Sequence, residues 1–216
     1  MSPRDRILQA AMTVFRRHGF RRSSIEETAE AAGLTRQALY HHFKSKEALF
    51  RAVIERVHDG ALADGAAAAK RAEATGGTLA DIVIAQVAAR LKAFVASFDG
   101  SPHVEELFSE HLIHARDLYQ HYAALHDAQV ATTIERVVKR EQLTLAPGLT
   151  AAKLARYVEL AITGTKSAYP SMRPAQAFLR EAEVMLRTLI AGAVAPSKPK
   201  KISQPARPVR RRGAPK

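Results

Sequence analysis

The chain has 216 residues, of which 47% are hydrophobic and none is cysteine, and its net charge is +12. This length allows a sizeable hydrophobic core in one or two domains, and the absence of cysteine excludes disulfides and thiolate metal sites. The charged, amphipathic first segment and the lack of any apolar run of about 18 residues lead us to expect a cytoplasmic protein that is neither secreted nor membrane-spanning.

The positive charge is concentrated at the two ends of the chain. Residues 1–58 carry eleven Lys/Arg and six Asp/Glu (net +5), residues 59–195 carry fourteen and fifteen (net −1), and residues 196–216 carry eight and none (net +8). This division predicts a head that binds a polyanion, a nearly neutral body with a different task, and a basic tail. The tail contains five prolines and little to bury, so we expect it to be disordered when free.

The first 58 residues contain the signals of four helices, and the second and third of these are short. An apolar stripe indicates the first helix, which we expect to stop at Gly19, because a glycine followed by an apolar residue is a typical C-terminal signal. The next three helices each follow a residue that favours helix N-caps, namely Ser24, Thr35 and Ser45. Only about three or four residues separate the second helix, which ends at Gly33, from the third, at residues 36–43.

The rest of the sequence reads as helices up to residue 195, and no alternating stretch of useful length predicts a strand. Glycine and proline mark the helix boundaries near residues 76–77, 99–102, 146–148, 170 and 174, and a kink or break is expected at 115–117. We therefore predict an all-α fold with about nine helices. Its parts are a helix-turn-helix head at 1–50, a helical body at 51–195 and the basic tail at 196–216.

The third helix has one apolar and one polar face. Leu39 and Phe43, four residues apart, point with Leu34 toward the core of the head. The side chains left outside are rich in hydrogen-bonding groups: Arg36, Gln37, Tyr40 and His41. Two short helices joined by a tight turn have the geometry of a helix-turn-helix, whose second helix enters the major groove. Since arginine can bond bidentately to guanine and glutamine to adenine, the pattern predicts binding to double-stranded DNA.

Residues 5–54 resemble the DNA-binding domain of the tetracycline-repressor (TetR) family through the segments AAMTVFRRHGF, SSIEETAEAAGLTRQALYHHF and KSKEALF. The resemblance implies a homodimeric transcriptional regulator, most often a repressor, whose body binds a small-molecule effector of unknown identity. It implies DNA contacts from the matching positions, which are Ser24, Thr35, Arg36, Gln37, Ala38, Tyr40, His41, His42 and Lys46. His42 could equally support the helix from inside.

In the TetR family the dimer forms through the last two helices, which correspond to residues 151–168 and 174–193. Their composition agrees, because several apolar side chains would be overexposed on a monomer: Leu154, Val158, Ile162, Phe178, Val184, Met185 and Leu189. The implied mechanism is a change of spacing. Ligand in the body shifts the fourth helix, and the two heads can no longer reach a palindromic operator together.

Two groups of residues in the middle of the chain are candidates for small-ligand chemistry. A mostly apolar pocket is predicted from Phe94, Phe98, Phe108, Leu112, Tyr119, Tyr122 and Tyr157, each of which is alternatively a core residue. The spacing of His111, His114, Asp117 and His121 would suit Zn²⁺ or Ni²⁺ if one helix ran unbroken. We favour a surface or interface cluster of histidines near a helix break, and expect no metal and no cofactor.

No phosphate-binding glycine loop, nucleophile elbow or HExxH motif is present, so we expect no enzyme and no catalytic residue. The alternative to a regulator is a nucleoid-associated architectural protein that binds DNA with little sequence preference. The tail is an inert end, a clamp that adds phosphate contacts, or a minor-groove element, since RRRGAPK partly resembles an AT-hook but has Ala214 where arginine should follow. We favour the clamp.

Overall fold

The computed structural model describes residues 2–194, and the all-α fold class predicted from the sequence is confirmed. The first four helices are α1 Pro3–Arg22, α2 Ile25–Ala31, α3 Arg36–His42 and α4 Lys46–Ala74. They are followed by α5 Leu79–Phe98, α6 Val104–His114, α7 Arg116–Arg140, α8 Ala151–Ala168 and, after a 3₁₀ turn at Pro170–Met172, α9 Ala175–Ala193. The tail predicted at 196–216 lies outside the described residues, and its three interpretations stay predictions.

Most helices begin where a short polar side chain bonds the first free backbone amides. The three predicted caps, Ser24, Thr35 and Ser45, are confirmed, since each accepts a hydrogen bond from the amide three residues further on. Thr78 and Thr150 cap α5 and α8 in the same way. Glu27 and Asp81 return a bond to the cap residue and complete two capping boxes. These local bonds fix the starts of both short helices in the head.

The interruption predicted at Gly19 is confirmed, and a short helical segment follows it. Gly19 has φ +76°, but the helical segment continues across this kink to Arg22. Beyond the kink, Phe20 packs against Phe15 and Phe50 with ring centroids 5.9 and 4.8 Å apart, and this aromatic contact anchors α1 to α4. A Cβ at Gly19 would also lie 2.5 Å from Oε2 of Glu106, so the glycine leaves room for a carboxylate of α6.

The head and the body share one helix. α1, α2 and α3 pack around buried residues that include Ile7, Phe15 and Leu39, and α4 runs on from this core into the body. The boundary predicted between residues 50 and 51 therefore falls inside α4. In the body, α5 packs along α4, and α8 packs against α7 and α9. Within residues 2–194, no helix combines the length and apolar character that a membrane crossing requires.

The apolar side chains of α8 and α9 are distributed differently from the prediction. Four of those expected to be overexposed are fully buried within the subunit: Leu154, Val158, Ile162 and Phe178. That interpretation was wrong because residues four apart on α8 form the face that packs against α7 and α9. The neighbouring face carries the exposed apolar side chains, with exposed fractions of 43% for Tyr157, 49% for Leu160, 61% for Val184 and 38% for Met185.

Candidate DNA-binding surface and ligand cavity

The turn between α2 and α3 fixes how α3 is presented. The amide of Leu34 donates to the carbonyl of Ala29 at 2.8 Å, and that of Gly33, where φ is +67°, donates to Glu30 at 3.0 Å. These bonds close α2 and allow α3 to start after only four residues. Leu39, which is fully buried, holds the inner side of α3 against the head. The other side of the helix is left facing solvent.

The outer side of α3 carries seven of the nine predicted DNA contacts. Five of these side chains are exposed and two are half-buried: Thr35, Arg36, Gln37, His41 and His42, then Ala38 and Tyr40. His42 therefore does not support the helix from inside. The hydroxyl of Thr35 accepts the amide of Ala38 at 3.1 Å and still has a proton to donate outward. The surface offers several donors along about two turns of helix.

Arg36 is held by two neighbours. Its Nε lies 2.7 Å from Oε1 of Glu26 on α2, and its guanidinium carbon lies 5.4 Å from the centroid of the Tyr40 ring. The hydrogen bond with Tyr40 and the charge of Glu26 raise the pKa of Arg36. Because this ion pair is exposed, it is weak, and Arg36 can exchange Glu26 for another acceptor.

The two remaining predicted contacts form hydrogen bonds within the head. The hydroxyl of Ser24 donates to Oε2 of Glu27 at 3.0 Å and accepts its amide at 3.1 Å. The ammonium of Lys46 donates to the carbonyls of Phe20 at 2.9 Å and of Ser23 at 3.1 Å. Lys46 thus closes the end of α1, and the structure does not bring it onto the surface formed by α3.

Sequence reasoning passed over a second lysine close by. Lys44 lies between α3 and α4 and is exposed, and within residues 2–194 its ammonium forms no ion pair. Its position just beyond the C-terminus of α3 makes it a better candidate than Lys46 for contact with a phosphate beside the groove. The signal in the sequence is its place in a loop, two residues before the first residue of α4.

α6 joins the head to the body through two carboxylates. Glu106 Oε1 accepts the backbone amide of Arg21 at 2.8 Å, and Glu110 Oε1 accepts the Arg21 guanidinium at 2.7 Å. His114 Nε2 lies 3.1 Å from the other oxygen of Glu110, and its ring packs against Phe20 with centroids 4.9 Å apart. These contacts bond α6 directly to the last turn of α1.

A second connection runs from α4 to the start of α7. The Arg51 guanidinium donates to both carboxylate oxygens of Asp117, at 2.7 and 2.6 Å, and to the carbonyl of His114 at 2.6 Å. The hydrogen bonds from Arg51 lower the pKa of Asp117 to about 2. The break between α6 and α7 at Ala115, which the sequence predicted, is thus fixed to α4 on the head side of the body.

A cavity of about 290 Å³, here called the body cavity, is lined by residues of α4 to α8 and of the 3₁₀ turn. Four predicted residues line it: Phe94, Phe108, Leu112 and Tyr119. The structure does not bring the other three into it. Phe98 lines a separate cavity that also contacts Phe108, Tyr122 is buried and donates to Asp59 at 2.7 Å, and Tyr157 lies on the exposed face of α8.

The body cavity has a polar end that sequence reasoning missed. Burial lowers the pKa of His58 to about 3 and that of His111 to about 4, so both rings are neutral at pH 7, with their Nε2 atoms 3.4 Å apart. Arg90 also lines the cavity and is only 6% exposed. The ammonium of Lys166 lies 3.5 Å from the Tyr119 hydroxyl, and desolvation lowers its pKa to about 8.

The histidine cluster considered for metal binding does not assemble. His111 faces the body cavity, while His114 pairs with Glu110, Asp117 pairs with Arg51, and His121 is exposed. The break at Ala115 separates them, so they do not share a helix face.

A different group of possible ligands lies deeper in the body. Each of His126, Asp127 and Glu159 offers one possible ligand atom, and the three atoms lie within 4.8 Å of one another. Within residues 2–194, this is the group of His, Asp or Glu side chains close enough together to hold a metal ion. Burial lowers the pKa of His126, and the positive charge of Arg90 lowers it further. The same charge would oppose a divalent cation. The expectation that the chain holds no metal stays a prediction.

Solved structures share the fold along most of the chain. A transcriptional regulator from Rhodococcus sp. Rha1 superposes with a TM-score of 0.63 and 19% identity over 91% of this chain and 100% of that one. Thermus thermophilus FadR, a TetR-family repressor in complex with lauroyl-CoA, superposes with a TM-score of 0.58 and 21% identity over 91% of this chain and 97% of that one. At these identities the likeness shows a common fold.

The sequence of the head matches a known family. Residues 7–53 match the model of the family described as bacterial regulatory proteins, tetR family. The chain carries a TetR-type head over these residues. Its TetR-type head is 42% identical over 53 residues to the HTH-type transcriptional repressor KstR2 of Mycolicibacterium smegmatis, which is 24% of this chain and 26% of that protein. The HTH-type transcriptional regulator UidR of Escherichia coli is 42% identical over 60 residues, which is 28% of this chain and 31% of that protein. The matched segment thus spans less than a third of these relatives.

Proposed function

We propose that the protein is a dimeric transcriptional regulator, acting as a repressor, that binds a palindromic operator and releases it when a small molecule enters the body cavity. The observation that carries this proposal is the exposed row of donors on α3, from Thr35 to His41. Relatives that match the head are named as transcriptional repressors or regulators. The alternative of an architectural protein has no such support.

In the proposed complex, α3 lies in the major groove. Arg36 and Gln37 near its N-terminus contact base edges, and Thr35, Tyr40, His41 and Lys44 contact phosphates on either side. Arg36 must leave Glu26 to reach a base, so Glu26 competes with DNA for this side chain. Two heads related by a two-fold axis would read half-sites whose centres are roughly 34–36 Å, or a multiple of this distance, apart.

The dimer is proposed to form through α8 and α9. Tyr157, Leu160, Val184 and Met185 are exposed on these helices, and a second copy of the chain would cover them. A solvent-exposed group of large apolar side chains is unfavourable on an isolated subunit. Isologous pairing of this face holds the two heads at a fixed separation.

The path from the body cavity to the head is proposed to run through α6 and α4. Phe108 and His111 line the cavity on one side of α6, while Glu106 and Glu110 of the same helix bond Arg21 in the head. A ligand that displaces α6 would therefore move the head, and the change in spacing lowers affinity for the operator. Such coupling is reciprocal, so operator DNA must weaken ligand binding by the same factor.

Selection of bound fragments from a random DNA pool tests the proposal. A regulator should enrich one palindromic sequence and prefer it over random DNA by a factor of at least about 10³ at physiological salt. Arg36→Ala should relax the preference at one base position by about 1–3 kcal/mol, and a variant with unchanged preference would remove Arg36 from base reading. Enrichment of no sequence, with a steep dependence on salt, would favour the architectural alternative.

A further inference from the structure

The geometry points to an organic anion as the effector: a carboxylic acid with an apolar body, whose carboxylate binds Arg90 and Lys166 at the polar end of the body cavity. This inference rests on the proposed function, because it names the class of molecule that the regulatory cavity takes. It concerns the recognition of charge, which can be measured without DNA.

The first observation is a buried cation without a partner. Arg90 is 6% exposed and lines the body cavity, and its Nη1 has no hydrogen-bond partner in the part of the chain that the structure describes. A buried guanidinium nitrogen that lacks an acceptor is unfavourable, because it has lost its hydration without gaining a hydrogen bond. An acceptor supplied by a ligand would remove this cost.

A second cation lines the same cavity. Within residues 2–194, the one hydrogen-bonding group near the ammonium of Lys166 is the Tyr119 hydroxyl, 3.5 Å away. The ammonium also lies 5.3 Å from the centroid of the Tyr119 ring. Arg90 and Lys166 are the charged residues among those that line the cavity. A cationic ligand would meet two like charges there, whereas a carboxylate would meet two opposite charges and the donor of Tyr119.

The acidic groups near these cations do not line the cavity. Glu159 is 4% exposed, its Oε2 lies 3.4 Å from Nδ1 of His126, and it is not among the residues that line the cavity. Asp127 lies beside it, and burial together with the charge of Glu159 raises the pKa of Asp127. Glu159 therefore acts on Arg90 and Lys166 through its charge, while Nη1 of Arg90 keeps no hydrogen-bond partner within residues 2–194.

The rest of the cavity suits an apolar body. Leu91, Phe94, Phe108, Leu112 and Met172 line it, and the neutral pair of His58 and His111 adds no charge. At about 290 Å³ the cavity lies at the lower end of the usual range for ligand pockets. A medium-chain or aromatic acid fits this volume better than a large conjugate.

Matched pairs of acids and alcohols test the inference on the purified full-length protein. Isothermal titration calorimetry would compare decanoate with 1-decanol, and 2-naphthoate with 2-naphthalenemethanol. We expect at least one acid to bind, and its alcohol to bind at least tenfold more weakly. The pair that binds tells whether the body of the ligand is aliphatic or aromatic. Equal affinities within each pair, or no binding by either acid, would overturn the inference.

A substitution in the cavity supplies the second measurement. Lys166→Met keeps the apolar stem and removes the charge, so we expect it to weaken the acid at least tenfold while leaving the alcohol unchanged. Lys153→Met, on the exposed side of the same helix, is the matched control and should leave the affinities for the acid and for the alcohol unchanged. If K166M does not fold, the double variant Lys166→Met with Glu159→Gln is used in its place. It removes one buried positive and one buried negative charge, so the net charge of the body stays the same. Equal loss for acid and alcohol would contradict the role of charge.

Release of the selected DNA fragment separates this inference from the proposed function. Acid that binds in calorimetry but leaves DNA affinity unchanged would support the anion site and contradict the proposed regulation. Release of DNA by both the alcohol and the acid at equal concentrations would support the regulation and contradict the anion site.

Discussion

At the scale of single residues, two lysines within four positions of the end of α3 have different surroundings. Lys46 donates to the carbonyls of Phe20 and Ser23 and lies 4.6 Å from the Phe20 ring centroid, whereas Lys44 is exposed. Sequence spacing alone does not separate them, because a motif assigns a residue to a position and says nothing about which neighbour its ammonium meets.

We predict that Lys44→Ala weakens binding to all DNA sequences and reduces the slope of log affinity against log salt by about 1, since one phosphate contact is lost. Lys46→Met should instead lower the free energy of unfolding, because three carbonyls at the end of α1 lose their donor. Filter binding over a range of salt and urea denaturation measure the two effects. The prediction fails if K46M lowers the salt slope and K44A does not.

The pair of histidines in the body cavity predicts how stability depends on pH. The pKa of His58 is lowered to about 3 and that of His111 to about 4, whereas unfolded histidine titrates near 6.5. Below pH 6.5 the unfolded chain binds protons that the folded protein does not, so stability is lost as the pH falls toward 4. At pH 5 each histidine should account for a loss of about 2 kcal/mol relative to pH 7.

Urea denaturation of the wild type and of His111→Gln at pH 7 and pH 5 checks this value. The variant should lose about 2 kcal/mol less than the wild type between the two pH values. His121→Gln is the control, because His121 is exposed and should leave the pH dependence unchanged. Equal pH dependence in all three proteins would mean that His111 does not stay neutral in the folded state.

At the scale of elements, the contact between α1 and α6 requires a glycine. Gly19 has φ +76°, and a Cβ there would meet the carboxylate of Glu106, which holds the backbone amide of Arg21. We predict that Gly19→Ala lowers the free energy of unfolding by about 1–2 kcal/mol through the strained φ, with a further loss from the displaced carboxylate. Gly60→Ala, inside α4 with open space around it, should be neutral or stabilising by about 0.5–1 kcal/mol.

Thermal or urea unfolding of both glycine variants measures the difference. A second readout is DNA affinity. It should fall in G19A, because α1 is part of the head and packs against α2 and α6, and it should stay unchanged in G60A. Unchanged stability in G19A would show that α6 can withdraw from α1 at no cost, and the proposed path from the cavity to the head would lose its first link.

The elements that the sequence predicts well are those fixed by local bonds. Ser24, Thr35 and Ser45 bond amides within the next three residues, and the break at Ala115 follows the composition around it, so a single pass along the chain locates them. The polar end of the cavity was missed because Arg90 and Lys166 lie on different helices and neither stands in a motif. The buried face of α8 was misjudged for the same reason, since burial depends on which neighbouring helix packs there.

At the scale of the whole molecule, α8 and α9 present an apolar face to solvent. Val184 is 61% exposed and Leu160 is 49% exposed, and both lie on helices whose opposite faces are already buried in the subunit. In a two-fold dimer each of these side chains would be desolvated twice, once in each copy. The stability of the pair, and hence the distance between the two heads, should depend on this face.

Val184→Glu should therefore convert a dimer into a monomer at micromolar concentration, because it buries a charge in an apolar interface twice per dimer. Sedimentation velocity measures the mass, and Ile113→Glu is a matched control, since Ile113 is 64% exposed on α6 rather than on α8 or α9. Operator affinity in V184E should fall by about 10² or more, because the second head no longer binds at high effective concentration. Loss of one half-site from the selected operator should then cost the wild type far more than the variant. A dimeric V184E with full operator affinity would move the interface to another face of the body and leave the apolar side chains of α8 and α9 without an assigned partner.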